Sequence, residues 1–425
     1  MSEATTGEAP AGFIDILDMK HPVLSEVQRK AVETAPDVPL DEEAVLAAAR
    51  EATGLSDFGE EDFRVRLRLW LQCAREDAGL SRLGRATIYG MAVRYATVRL
   101  RIEDLVRRNP QILDLPIERP LVITGLPRSG TTHLQNFLAA DPQLRSLPYW
   151  EAIRPVPAPD EIAKPGEDDP RRVKCAAEWA QADALLPYAK AMHEFSPDHI
   201  SEDVEFQCVD FGSYHIEWLT FSPKWRDHYF ATDQTPIYRY LKKCLQVLDF
   251  QTGSKKRWLL KCPQHMEQLV PLTTVFPDAT VVITHRDPVA SIQSAITGNC
   301  YRQRVSRLEV EPQKTADYWI DRYQRLLRAC VRDHGKLDPA RLHDVYFDKF
   351  MAASMETVEA IYRTAGLPMD DVLRDRMNAF LAANPRGKHG QVRHDLRRDF
   401  GLDPDELRSR FQFYFDAFPV RAEVK

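Results

Sequence analysis

No C-x-x-C pair occurs anywhere in this sequence, and its seven cysteines, scattered from Cys73 to Cys330, leave an odd count. That pattern argues against a disulfide or zinc framework and for a reducing, cytoplasmic setting. No apolar run approaches the roughly 18 residues of a helical membrane span, so no membrane span is expected. The opening stretch "MSEATTGEAPAGFIDILDMKHP" lacks a basic start followed by an apolar core, the mark of a secretory signal. An excess of positive charge is missing too. The formal net charge of −6 and pI near 6.1 argue against a nucleic-acid partner, while leaving room for a local basic pocket. There is no internal repeat or low-complexity tract. The 425 residues, 44% hydrophobic and 28% charged, suit one large globular domain or a domain with a substantial addition.

Residues 1–40, rich in Pro, Glu and Ala, are expected to include a flexible tail. Residues 41–115 read as a helical region. Phe63, Leu67, Trp70 and Leu71 fall at helical spacing, as do Ile88, Met91, Val98 and Ile102. Arg64, Arg66 and Arg68 between them are expected on a solvated face. From 116 to 425, short apolar runs alternate with helical patterns. The runs are Pro120 to Thr124, "RWLLKCP" at 257–263, "ATVVITHRDP" at 279–288 and "LHDVYFDKF" at 342–350. This alternation predicts an α/β fold, a mostly parallel central sheet flanked by helices, with an N-terminal helical extension. A helical, aromatic insertion at about 150–250 follows the Pro-rich connection "DPQLRSLPYWEAIRPVPAPDE".

A further absence is local. "LVITGLPRSGTTHLQNFL", residues 121–138, has the glycine spacing of G-x-x-x-x-G-K-[ST], but Thr131 stands where the lysine should be. A loop between strand and helix offers backbone N–H groups and a helix dipole to an anion. Gly125 and Gly130 permit the turn, Ser129, Thr131 and Thr132 add hydroxyls, and Arg128 adds charge. The strand "TVVIT" ends in His285 and Arg286 rather than in a metal-holding carboxylate, with Asp287 followed at once by Pro288. Phosphate binding without a required metal is the expectation.

"GLPRSGTT" together with "HRDPVASIQS" resembles the sulfotransferases that use 3′-phosphoadenosine 5′-phosphosulfate (PAPS), in their bacterial branch. The resemblance spans roughly residues 55–420 and implies their P-loop NTPase-like fold. It implies that the first motif cradles the 5′-phosphosulfate through Arg128, Ser129, Gly130, Thr131 and Thr132. Arg286 and Ser294, eight residues apart, would grip the 3′-phosphate. "NPRGKHG" at 384–390 is similar to the family's late loop over that phosphate, which brings in Arg386, Gly387 and Lys388. "DVYFDKF" is similar to its strand near the adenosine, which brings in Tyr346. "FGEEDFRVRLRLWLQCAREDAGLSRLGR" resembles the branch's N-terminal region. Two departures stand out. Arg128 replaces the lysine of the cytosolic enzymes, and of their catalytic K-x-H only Lys261 remains, with Pro263 at the histidine position.

In-line attack of an acceptor oxygen on sulfur calls for cations at the leaving phosphate, a role that suits Arg128 and Lys261. It also calls for a base. Glu151 in "PYWEAIRP" matches the connection that carries the catalytic glutamate in the tyrosylprotein branch. His265 is its rival. Glu202, Asp203 and Glu205 in "SEDVEFQ" read either as a salt-bridged helix start or as acceptor recognition. The reaction implied is sulfuryl transfer from PAPS to a hydroxyl, less readily an amine, of a small-molecule or lipid acceptor, releasing PAP. The aromatic residues of the insertion favour an apolar or aromatic acceptor. A Mg-dependent P-loop kinase or NTPase and a non-catalytic nucleotide-binding module stay open as alternatives. The oligomeric state is not encoded in any motif.

Overall fold

Why the apolar runs form strands is plain from their surroundings. The computed structural model describes residues 13–192, 196–384 and 391–424. Five strands, Leu121–Gly125 (β1), Leu144–Arg145 (β2), Arg257–Lys261 (β3), Thr280–His285 (β4) and Leu342–Tyr346 (β5), form one sheet in the order β2-β3-β1-β4-β5. Every neighbouring pair is parallel. β1 and β4 are buried at each residue, as expected for strands covered on both faces. Leu121 and Ile123 join one core and Val122 the other, following the two-residue period of a strand. The short edge strand β2 lies in the Pro-rich connection that had been read as a loop.

Nine helices position the site or its supports. They are Glu42–Thr53 (α1), Phe63–Glu76 (α2), Arg82–Arg108 (α3), Thr131–Leu138 (α4), Tyr149–Ile153 (α5), Val204–Val209 (α6), Thr235–Thr252 (α7), Pro288–Ser306 (α8) and Pro312–His334 (α9). Asp41 caps α1 by accepting from the Glu43 and Ala44 N–H groups, and Ser81 caps α3 through the Gly84 N–H. Phe63, Leu67, Trp70 and Leu71 are fully buried on α2 and share a core with Phe211, Ile216 and Trp225 of the insertion. The stretch expected to hold a tail contains a further helix, Glu26–Thr34, closed by a Ser25–Gln28 capping box.

One expectation is overturned here. Arg66 is buried rather than solvated. Its Nη2 donates to Asp210 Oδ2 at 2.6 Å, and Arg99 Nη1 donates to the other oxygen of the same carboxylate at 2.7 Å. A buried carboxylate needs cations around it, so Asp210 draws α2 and α3 onto the insertion. A second buried network does the same for α9. Arg322 pairs with Glu217 and Glu267, all three shielded from solvent. No helix among the described residues is long and apolar enough to cross a membrane.

Candidate active site

Parallel register brings the singled-out residues to one edge. Gly125 pairs with Thr284 and Ile123 with Lys261, so the loop, Lys261 and Arg286 all emerge at the carboxyl ends of adjacent strands. Gly125, at φ 157°, lies so close to β4 that a Cβ would sit 1.9 Å from Thr284 Oγ1. Gly130, at φ 88°, starts α4 in a left-handed conformation that glycine adopts without strain. Arg128 has φ 71° despite carrying a side chain, a strained backbone of the kind that gathers at functional sites. The Ser129 hydroxyl was expected to face a phosphate. It is turned inward instead, donating to the Leu126 carbonyl at 2.6 Å and meeting Thr284 Oγ1 at 2.6 Å. Ser129 thus contributes loop shape and its backbone. Thr131 is buried at the start of α4.

Arg128 is solvent-exposed, yet burial by its surroundings, followed by the charge of Arg286, lowers its pKa, which is how a cation in a recess behaves. Its Nε donates to Ser294 Oγ at 3.0 Å. Arg286 donates through Nη1 to the Arg128 carbonyl and stacks over Phe347, 3.9 Å from the ring centroid. Loop, Arg286 and Ser294 therefore form one connected group. Tyr346 ends β5 and stacks on His285 at 5.3 Å. Arg386, Gly387 and Lys388 lie outside the described residues.

The base candidates separate sharply. Glu151 accepts from Arg145 Nη2 at 2.6 Å, and Arg145 in turn lies over Trp258 near the start of β3. Lys261 is three residues further along β3, about 10 Å at the usual rise of a strand. Glu151 therefore sits away from the loop and in a structural ion pair. His265 is fully buried, with Nδ1 2.9 Å from Tyr238 Oη and Nε2 3.1 Å from Asp203 Oδ2. Both ring nitrogens are engaged within the fold. Burial would raise the Asp203 carboxyl, but His265 and Gln207 outweigh it and hold it low.

A different carboxylate, Glu202, lies beside the loop. It pairs with Lys261 Nζ, which also donates to Thr132 Oγ1 at 3.2 Å. Lys261 is only 1% exposed, so it requires an anion, and Glu202 supplies one while remaining partly open. Glu205 lies beside it, paired with Arg94 at 3.1 Å. Burial lowers the pKa of His215, with Glu205 and Glu202 pulling the other way. Sequence reading had left Glu202 and Glu205 between a salt-bridged helix start and acceptor recognition, and gave no role to His215 or Arg94.

Asp287 has the position nearest to a metal-holding carboxylate, and its oxygens are spent. Oδ1 accepts from the Val289 N–H at 2.9 Å and Oδ2 from the Glu423 N–H at 2.8 Å. Behind β4, Asp344 lies 2.9 Å from His285 Nε2 and 3.0 Å from His334 Nε2. Ligand-type atoms of these three lie within 4.8 Å of one another. They already satisfy each other, and Tyr414 Oη meets His285 Nδ1 at 2.7 Å. Burial alone would raise the Asp344 carboxyl, but the two histidines hold it far below the usual range. The same contact raises His334, while burial lowers His285.

A strand–loop–helix turn on a parallel sheet, with cations at three strand ends, is an enzyme-type architecture of the P-loop class. The comparisons carry this further. A profile described as "Sulfotransferase family" matches residues 120–371, more than half of the chain, and the chain belongs to that family. The solved sulfotransferase STF1 of Mycobacterium tuberculosis H37Rv is 28% identical, with 87% of this chain and 97% of that one covered at a TM-score of 0.76. STF9 of Mycobacterium avium is 25% identical, with 92% and 100% covered at a TM-score of 0.81. No curated protein sequence matches at a significant level. The protein is a sulfotransferase.

Proposed function

We propose that the sulfuryl donor is PAPS and that the acceptor is a hydroxyl, less readily an amine, of a small molecule or lipid. One observation carries the reading of the donor. Beside the phosphate-type loop, Arg286 presents its guanidinium to a carboxylate through two hydrogen bonds, from Nε at 2.8 Å and Nη2 at 2.7 Å to Glu423. This is a second oxyanion clamp, separate from the loop, as a nucleotide phosphorylated at both 5′ and 3′ positions requires. Arg128, Thr132 and the N–H groups opening α4 would hold the 5′-phosphosulfate, and Arg286 with Ser294 the 3′-phosphate. Tyr346 would border the adenosine. Arg386, Gly387 and Lys388 keep the role the resemblance implies.

In the transfer, the acceptor oxygen bonds to sulfur as the bond from sulfur to the 5′-phosphate oxygen breaks, and the electron pair leaves with PAP. Lys261 and Arg128 neutralise the charge moving onto that phosphate. The acceptor proton passes to Glu202, which is assigned the role of base in place of Glu151 and His265. When the donor arrives, Lys261 gains an anionic partner, and Glu202 is released to take the proton. With Asp287 committed to backbone N–H groups, the reaction is proposed to need no metal ion. A cytoplasmic setting is proposed from the cysteines, all seven of which are free and buried.

The test is a radiolabelled PAPS transfer screen over lipid, phenol, sterol and carbohydrate acceptors in the presence of EDTA. Transfer should persist. Absence of both PAP binding and transfer, or turnover confined to ATP with Mg²⁺, would sink the reading.

A further inference from the structure

The ion pair of Glu202 with Lys261 is the contact that the proposed transfer takes away, since Lys261 turns to the donor. Glu202 lies outside any helix or strand, so its two chain neighbours must hold it at that moment. Ser201 donates its N–H to the Leu147 carbonyl at 2.7 Å. The Ser201 carbonyl accepts at 3.1 Å from Gln135 of α4, the helix that the loop opens. On the other side, the Asp203 N–H donates to the carbonyl of Lys261 itself at 3.3 Å. Glu202 is thus strung between the loop helix and the end of β3.

The Asp203 side chain leads into a buried polar chain. Asp203 Oδ2 lies 3.1 Å from His265 Nε2 and accepts from Gln207 Nε2 at 3.1 Å. His265 Nδ1 lies 2.9 Å from Tyr238 Oη on α7. Asp203, His265 and Tyr238 are all buried. Burial works against an ionised Asp203, but His265 and Gln207 outweigh it. A carboxylate only accepts, so His265 Nε2 carries the hydrogen and Tyr238 completes Nδ1. His265 belongs to the turn Pro263–Glu267 that follows β3. Cys262, just before that turn, is tied to β1. Its N–H donates to the Ile123 carbonyl at 3.2 Å, and its carbonyl accepts from Thr124 Oγ1 at 2.9 Å. Apolar side chains would fill this space without desolvating a carboxylate and an imidazole, whereas a satisfied polar network fixes one geometry.

We infer that His265, backed by Tyr238, is the positioning residue for Glu202. It fixes Asp203, and with it the backbone that presents Glu202, when Lys261 leaves for the donor. The inference rests on the reading of Glu202 as base and gives His265 a role at one remove from the proton.

The experiment measures steady-state transfer from radiolabelled PAPS to the fastest of 4-nitrophenol, cholesterol, dodecanol and glucose. The variants are His265→Leu, His265→Gln and Tyr238→Phe, each alone and combined with Glu202→Gln. His265→Leu should lower kcat by about 30- to 100-fold with the KM for PAPS within about two-fold, as a displaced reacting group does. His265→Gln should recover part of that loss, because its amide can still donate to Asp203. Tyr238→Phe keeps the ring packing and should lower kcat by about three- to ten-fold. In the Glu202→Gln background the same substitutions should cost nothing further, which a merely structural role would not produce. Should His265→Leu fail to fold, Tyr238→Phe and His265→Gln carry the test. The inference is overturned if both keep full kcat, if the loss falls on the KM for PAPS, or if it is equally large without Glu202. Full kcat in Glu202→Gln alone would overturn the base reading instead.

Discussion

Glu423 holds the guanidinium of Arg286 through both carboxylate oxygens, and its own N–H donates to Asp287. The segment around Glu423 therefore lies over the clamp proposed for the 3′-phosphate, with a carboxylate standing where a phosphate would bind. Arg408 ties the same segment down by donating to the Val424 carbonyl.

Displacing that carboxylate has a cost, and removing it should strengthen donor binding. Glu423→Gln is expected to tighten PAP roughly two- to five-fold, the worth of a partly exposed ion pair. Isothermal titration measures it. Unchanged or weaker binding would show that Glu423 does not compete with the nucleotide.

Arg286→Ala removes the clamp itself. PAP affinity should fall about 30- to 100-fold, the loss of a bidentate charged contact, while AMP affinity changes little. Equal weakening of the two nucleotides would contradict the assignment of Arg286 to the 3′-phosphate.

Glu202→Gln should lower kcat by about 10²- to 10⁴-fold with PAP affinity kept within a few-fold. Glu151→Ala should act on stability, by about 3 kcal/mol, because it leaves Arg145 without its buried partner. Steady-state kinetics and thermal melts of both variants separate the roles. A Glu202→Gln enzyme with full turnover would move the base elsewhere.

The Asp344 cluster should leave a signature in the pH dependence of folding. His334 has a raised pKa, so its contribution is complete below its unfolded value near 6.5 and is lost as pH rises through the folded value. Asp344 is depressed, so its contribution is present above about 3.9 and is lost as pH falls through the folded value. By themselves these two groups favour folding most between about pH 4 and 6.5, while His285, lowered by burial, opposes them as pH falls below about 6.5. His334→Gln should flatten the decline in Tm above that window. An identical Tm profile for variant and wild type would remove His334 from the account.

Several site features were legible in the sequence because they are local. The glycine loop is readable from spacing alone, since Gly125 and Gly130 answer to backbone geometry within one turn. β1, β3, β4 and β5 are readable as apolar runs because strands buried on both faces need little else. Arg286 and Ser294 are readable as a pair because one strand end and the following helix carry both. The two-residue strand β2 was not, because nothing within "LRSLP" distinguishes an edge strand from a loop until β3 lies beside it.

What the sequence by itself determined is the strand–loop–helix motif, the parallel α/β architecture and the family. Tertiary structure alone decided which carboxylate meets Lys261 and which meets Arg286. Glu202 reaches Lys261 across 59 positions of chain, and Glu423 reaches Arg286 across 137. Local propensity carries no information about such pairings. They follow from the parallel register that gathers strand ends at one edge, and from the cost of leaving a buried charge unpaired.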